Sequence, residues 1–88
     1  MKIKSNFLLS DIEGENVVIT VGDVENSFNG YLKLNASAAF LWKELESGAS
    51  KDELIASLQM TYNIEKHIAE KDLDDFLKIM EQIDALDF

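Results

Sequence analysis

The apolar positions change their period once along the chain. Up to about Leu34 they come in short runs or alternate, and beyond Asn35 they recur every three or four residues. Glycines 14, 22 and 30, spaced by eight, punctuate the first part as they would a meander of short strands. Phe7 to Ile12 predicts a first strand, with Glu13-Gly14-Glu15-Asn16 as its turn. Val17-Val18-Ile19-Thr20-Val21 is entirely β-branched and predicts the strongest strand. The polar run Gly22 to Asn29 predicts a loop. Tyr31 to Leu34 predicts a third strand, with Leu32 and Leu34 on one face and Tyr31 and Lys33 on the other.

From Asn35 the pattern is helical. Ala38, Leu41, Trp42 and Leu45 form one stripe, Asn35 can cap the helix, and Gly48 can end it in the left-handed conformation. Ser50-Lys51-Asp52-Glu53 is a capping box that opens a second helix, whose buried stripe is Leu54, Ile55, Leu58 and Tyr62. A third helix runs from about Glu65 to Ile83 and carries Ile68, Ala69, Leu73, Phe76, Leu77, Ile79, Met80 and Ile83. That set spans roughly 200° of arc, wider than the ~100° a helix needs against one neighbour. Asp84 to Phe88 reads as a short tail. The fold class is α+β: a winged-helix-like, three-stranded antiparallel β-meander followed by three α-helices, with residues 1–88 as a single domain.

Composition narrows what such a domain does. The chain has 88 residues, no cysteine and one histidine, His67. Disulfides, thiolate nucleophiles, Fe–S clusters and most zinc sites are therefore excluded as readings. His67 reads as a solvated residue of the third helix and Trp42 as core. Asp72, Asp74 and Asp75 read as surface charge, because adjacent helical carboxylates diverge by about 100° and no EF-hand spacing surrounds them. With no G-x-S-x-G and no phosphate loop, the chain reads as a non-enzyme without cofactor or metal. No apolar run approaches the roughly 20 residues of a membrane span, and Met1 to Asn6 lacks a signal-peptide core, so a cytoplasmic protein is expected.

Net charge is −9, from 17 acidic and eight basic residues, and every basic residue is lysine. Counterion release and arginine readout, the main sources of nucleic-acid affinity and specificity, are both poorly served. The same charge disfavours anionic membranes. A winged-helix DNA-binding regulator is one alternative reading, but Glu65 to Phe88 holds eight acidic residues against three lysines. A general small protein-interaction adaptor is another.

The run Gly30-Tyr31-Leu32-Lys33-Leu34-Asn35-Ala36-Ser37-Ala38-Ala39-Phe40-Leu41-Trp42-Lys43-Glu44-Leu45 resembles the signature of PqqD-like proteins, in which a strand ending in Leu-Asn leads into a helix of small residues and Trp. The resemblance continues through Gly48, Ser50-x-x-Glu53-Leu54, Tyr62 and Asp72-x-x-x-Phe76-Leu77. It departs at Asp84, where the family commonly has glycine. The resemblance implies a RiPP recognition element, which holds the leader segment of a ribosomally made precursor peptide and presents it to a modifying enzyme, a radical S-adenosylmethionine protein in the pyrroloquinoline quinone pathway.

A groove for such a peptide can be placed on the predicted elements. The third strand has one free edge, Phe28 to Leu34, where an extended peptide can add as a further strand. On the third helix, Ile68, Asp72, Asp75 and Ile79 fall within about 60° of one another and form the other wall. Phe28, Tyr31, Leu32, Lys33, Leu34, Ile68, Asp72, Asp75 and Ile79 are the expected peptide-binding residues. The isoleucines would take apolar leader side chains and the aspartates would select basic ones.

Overall fold

Glu13 and Gly14 both adopt positive φ, 53° and 83°, the signature of a two-residue type I′ turn. The turn joins β2 (Phe7–Ile12) to β3 (Glu15–Thr20), which pair from Phe7↔Thr20 to Ile12↔Glu15. The β4 strand (Tyr31–Leu34) pairs antiparallel with the other side of β3, giving a sheet of order β2-β3-β4. The computed structural model describes residues 1–21 and 31–87. The expected loop Gly22 to Asn29, and Phe28 with it, lies outside the described residues. The second strand begins two residues earlier than expected, because the turn takes only Glu13 and Gly14, and ends at Thr20, with the Val21 amide still donating to the Asn6 carbonyl at 2.9 Å.

Three helices follow: α1 (Ala36–Glu46), α2 (Lys51–Tyr62) and α3 (Lys66–Gln82). Asn35 caps α1, its side chain accepting from the Ala38 amide at 2.9 Å, and Gly48 follows the helix at φ 91°. Both halves of the α2 capping box are made, Glu53 N–H to Ser50 Oγ at 3.1 Å and Ser50 N–H to Glu53 Oε1 at 3.0 Å. Helix α3 starts at Glu65 without a side-chain cap. The architecture is the expected α+β, a three-stranded antiparallel sheet and then three helices.

One core joins these layers. Val18, Leu34, Leu41, Trp42, Leu45, Leu54, Leu58, Leu73, Phe76 and Met80 are all buried within it. Alternation puts Leu9, Val18 and Leu32 on the sheet face toward the helices, while Leu8 and Ile12 look the other way and are half exposed.

The expected C-terminal tail is structured. Leu86–Asp87 forms β5 and pairs antiparallel with β1 (Lys2–Ile3), an element that two residues could not announce by period. The turn into β5 is a Schellman motif: the Asp84 amide donates to Glu81 O at 3.1 Å and the Ala85 amide to Met80 O at 3.0 Å. Asp84 sits at φ 56° there. The position at which the sequence departs from the glycine common among PqqD-like proteins keeps the left-handed backbone that glycine favours.

Candidate functional site

The type I′ turn fixes which backbone groups face which strand. Ile12 and Glu15 close the hairpin as a hydrogen-bonded pair, so bonding to β2 alternates along β3 through Val17 and Ile19. Asn16 and Val18 therefore bond toward β4, opposite Leu34 and Leu32. The backbone N–H and C=O groups of Tyr31 and Lys33 consequently project away from β3, along the outer edge of the sheet. On this strand Leu32 is half-buried and Leu34 is buried, both against the core, and Lys33 on the opposite face pairs with Glu15 at 2.9 Å.

Helix α1 packs against both β4 and α3, whereas β4 and α3 share no extensive contact among the described residues. The start of α1 continues directly from β4. A cleft of about 100 Å³ opens there, lined by Asp72, Asp75, Phe76 and Ile79 of α3 and by Asn35, Ser37, Ala38 and Leu41. Three of the four α3 residues expected at the groove are thus brought together. Ile68, one turn before Asp72, lies outside this lining and is 42% exposed. Ile79 is half-buried, so the wide apolar arc of α3 is covered along its centre and left partly open along this margin.

Electrostatics divide the two aspartates. Lys71 reaches forward one turn to Asp75, Nζ to Oδ2 2.9 Å, and this hydrogen bond and its charge hold the Asp75 carboxyl below the ordinary aspartate range. The same pairing raises the Lys71 ammonium. Asp72 is half-buried beside it. Both carboxylates share the cleft with the first turn of α1, the positive end of that helix's dipole, which favours anions nearby. Asn35 and Ser37 were expected only as cap and helix start. Their place directly after the third strand is the signal that they would reach the groove.

Larger hollows lie elsewhere. One of about 420 Å³ is bounded by Lys2, Lys4, Glu46, Asp87 and the edge of Trp42, and one of about 260 Å³ by Met1, Lys51, Leu77 and Glu81. Both are open and ringed by charges of mixed sign. His67 stands at the start of α3, its side chain 74% exposed and 3.2 Å from Glu65.

The family model described as "Coenzyme PQQ synthesis protein D (PqqD)" matches residues 9–86. No curated protein matches the sequence. Among solved structures, "TbiB1 in Complex with the TbiA(beta) Leader Peptide" is similar over 100% of both chains, with a TM-score of 0.74 and 24% identity. At that identity the likeness concerns the fold.

Proposed function

The chain belongs to the PqqD family, and we propose that it binds the leader segment of a ribosomally synthesised precursor peptide and presents it to a modifying enzyme, without itself catalysing the modification. What supports this reading is that β4 is the last strand of its sheet and runs directly into α1, whose first turn shares a cleft with a partly open margin of α3. An extended peptide on that edge gains main-chain hydrogen bonds to outward groups of β4, those of Tyr31 among them. Peptide residues opposite Leu32 and Leu34 would turn their side chains inward, toward Ile79 and the cleft. The similar TbiB1 structure carries a leader peptide, which supports the same class of ligand here.

Ile68 and Ile79 would hold apolar leader side chains at the two ends of the α3 strip. Asp72 and Asp75 would favour a basic residue between them. Because Lys71 already engages one oxygen of Asp75, Asp72 would carry more of that preference. The partner we favour is a radical S-adenosylmethionine enzyme, as the family's pathway implies.

The test is a titration of the chain with the leader peptide of a precursor encoded beside it, followed by fluorescence anisotropy. Micromolar or tighter binding is expected, and Asp72→Lys with Asp75→Lys should weaken it tenfold or more for a leader carrying a basic residue. Both aspartates lie on a solvated margin, so the circular dichroism melt should keep its shape. Absence of binding to any neighbouring precursor defeats the reading, and unchanged affinity in the double variant removes the acidic preference.

A further inference from the structure

One carboxylate of the cleft between α1 and α3 already has a cation on it. Lys71 Nζ lies 2.9 Å from Oδ2 of Asp75. Asp72, half-buried in the same lining, makes no ion pair among the described residues. The side-chain oxygen of Asn35 is spent, since it accepts from the Ala38 amide at 2.9 Å and from the Ser37 hydroxyl at 3.2 Å. The two carboxylates therefore carry what affinity the cleft has for a cation. At about 30 Å³ per water, its volume of about 100 Å³ is room for roughly three waters, or for the head of one lysine or arginine beside them.

The Lys71 pair is of a kind that exchanges readily. Lysine precedes aspartate in it by one helical turn, the weaker of the two orders. Both side chains are exposed, 75% and 55%, so water screens their attraction. Asp74, three residues beyond Lys71 and also exposed, flanks it on the other side, where it lines the hollow at Met1 and Leu86. The ammonium thus has a second acceptor within reach. While it stays on Asp75 it sets a threshold for any other cation. A group on a short tether has an effective concentration in about the millimolar range, so a free cation at micromolar concentration does not displace it. A basic side chain of a peptide already paired along β4 is tethered as well, and competes on equal terms.

We propose that Lys71 is a resident competitor that sets the groove's selectivity: a basic leader side chain takes Asp75 by displacing the Lys71 ammonium, which passes to Asp74 or to water. The proposal rests on the peptide-binding reading and adds the exchange to it. Lys71 is then a positioning residue for specificity rather than a contact for the leader. The groove holds a basic residue where strand pairing delivers it and turns away loose cations, a discrimination that two unengaged carboxylates would not make.

The full chain is titrated by fluorescence anisotropy at low salt with two labelled probes, the leader peptide of the precursor encoded beside it and the same peptide with Gln at its basic residues. Lys71→Gln should tighten binding of the basic leader by about threefold, the size of an exposed helical ion pair and the like charge removed with it. The Gln leader should stay within about 1.5-fold, since it brings no cation to Asp75. Lys66→Gln removes the same charge from the exposed first turn of α3 and should move neither probe by more than about 1.5-fold. In an Asp75→Asn background the gain from Lys71→Gln should shrink to about 1.5-fold or less, a coupling that net charge alone does not produce. An equal gain from Lys66→Gln, a full gain in the Asp75→Asn background, an unchanged basic leader or a leader without basic residues each overturns the exchange. No binding of either probe by the wild-type chain defeats the groove and the exchange together, whereas binding without the Lys71 effect defeats the exchange alone.

Discussion

Asp84 holds two opposed contributions that substitution can separate. At φ 56° an L residue other than glycine is strained, by about 1 to 2 kcal/mol in general and at the low end for Asp. Glycine relieves that strain but loses more chain entropy on folding, leaving a net gain of about 0.5 to 1 kcal/mol at such a position. Against this, Asp84 Oδ2 pairs with Lys4 Nζ at 2.9 Å, with side chains 66% and 34% exposed. Screening by water limits a pair of that exposure to about 0.2 to 1 kcal/mol. In the wild-type background Asp84→Gly should therefore fall between a loss of about 0.5 kcal/mol and a gain of about 0.8 kcal/mol in stability.

In a Lys4→Ala background only the backbone contribution remains. The same substitution should then stabilise by about 0.5 to 1 kcal/mol, raising Tm by roughly 2 to 8 °C in a domain of this size. Urea denaturation of the four proteins, followed by circular dichroism, closes the cycle. At 1 M salt, where the screening length falls to about 3 Å, the wild-type background should approach the Lys4→Ala result. Destabilisation by more than about 0.5 kcal/mol in both backgrounds would refute the reasoning, because it would mean that Asp84 contributes something other than a strained Schellman residue and an exposed ion pair.

Other expectations follow from the caps. Gly48→Ala should cost about 1 to 2 kcal/mol in a urea melt, because φ is 91° and a Cβ there would come within 3.3 Å of the Lys2 side chain. The Ser50 amide and hydroxyl hold the Glu53 carboxyl below its ordinary 4.5. A depressed carboxylate contributes stability above its unfolded pKa and loses it as pH falls through the folded one. Wild type should thus exceed Glu53→Gln in Tm at pH 7, and the gap should close below about pH 4.5, as thermal melts at a series of pH values would show.

The sheet and helices were legible where one residue type has one physical use. A β-branched run marked β3, and Ser50 with Glu53 marked the start of α2 by the bonds they go on to make. Asn35 and Gly48 bracketed α1 for the same reason. The β1–β5 ribbon was not legible, since two-residue strands carry no period and their pairing joins residues as far apart as Lys2 and Asp87. Spacing gathered Ile68, Asp72, Asp75 and Ile79 onto one strip of α3, but whether each lies over the core depends on how α1 crosses the helix. Ile68 emerges exposed while Asp72, Asp75 and Ile79 share a cleft with Asn35 and Ser37. The ion pair that ties up Asp75 depends on Lys71, one turn away, which a search for the apolar stripe passes over.

The peptide-binding reading makes its sharpest claim about the backbone at the edge of β4. The direct measurement is isotope-filtered NMR on the labelled chain with unlabelled leader peptide, reading interstrand NOEs. Amide contacts from the peptide to Tyr31, alternating with Hα–Hα contacts to Leu32 and Leu34, are expected, with side-chain contacts to Ile79. A saturated complex whose NOEs fall on other elements, with none to β4, would contradict it.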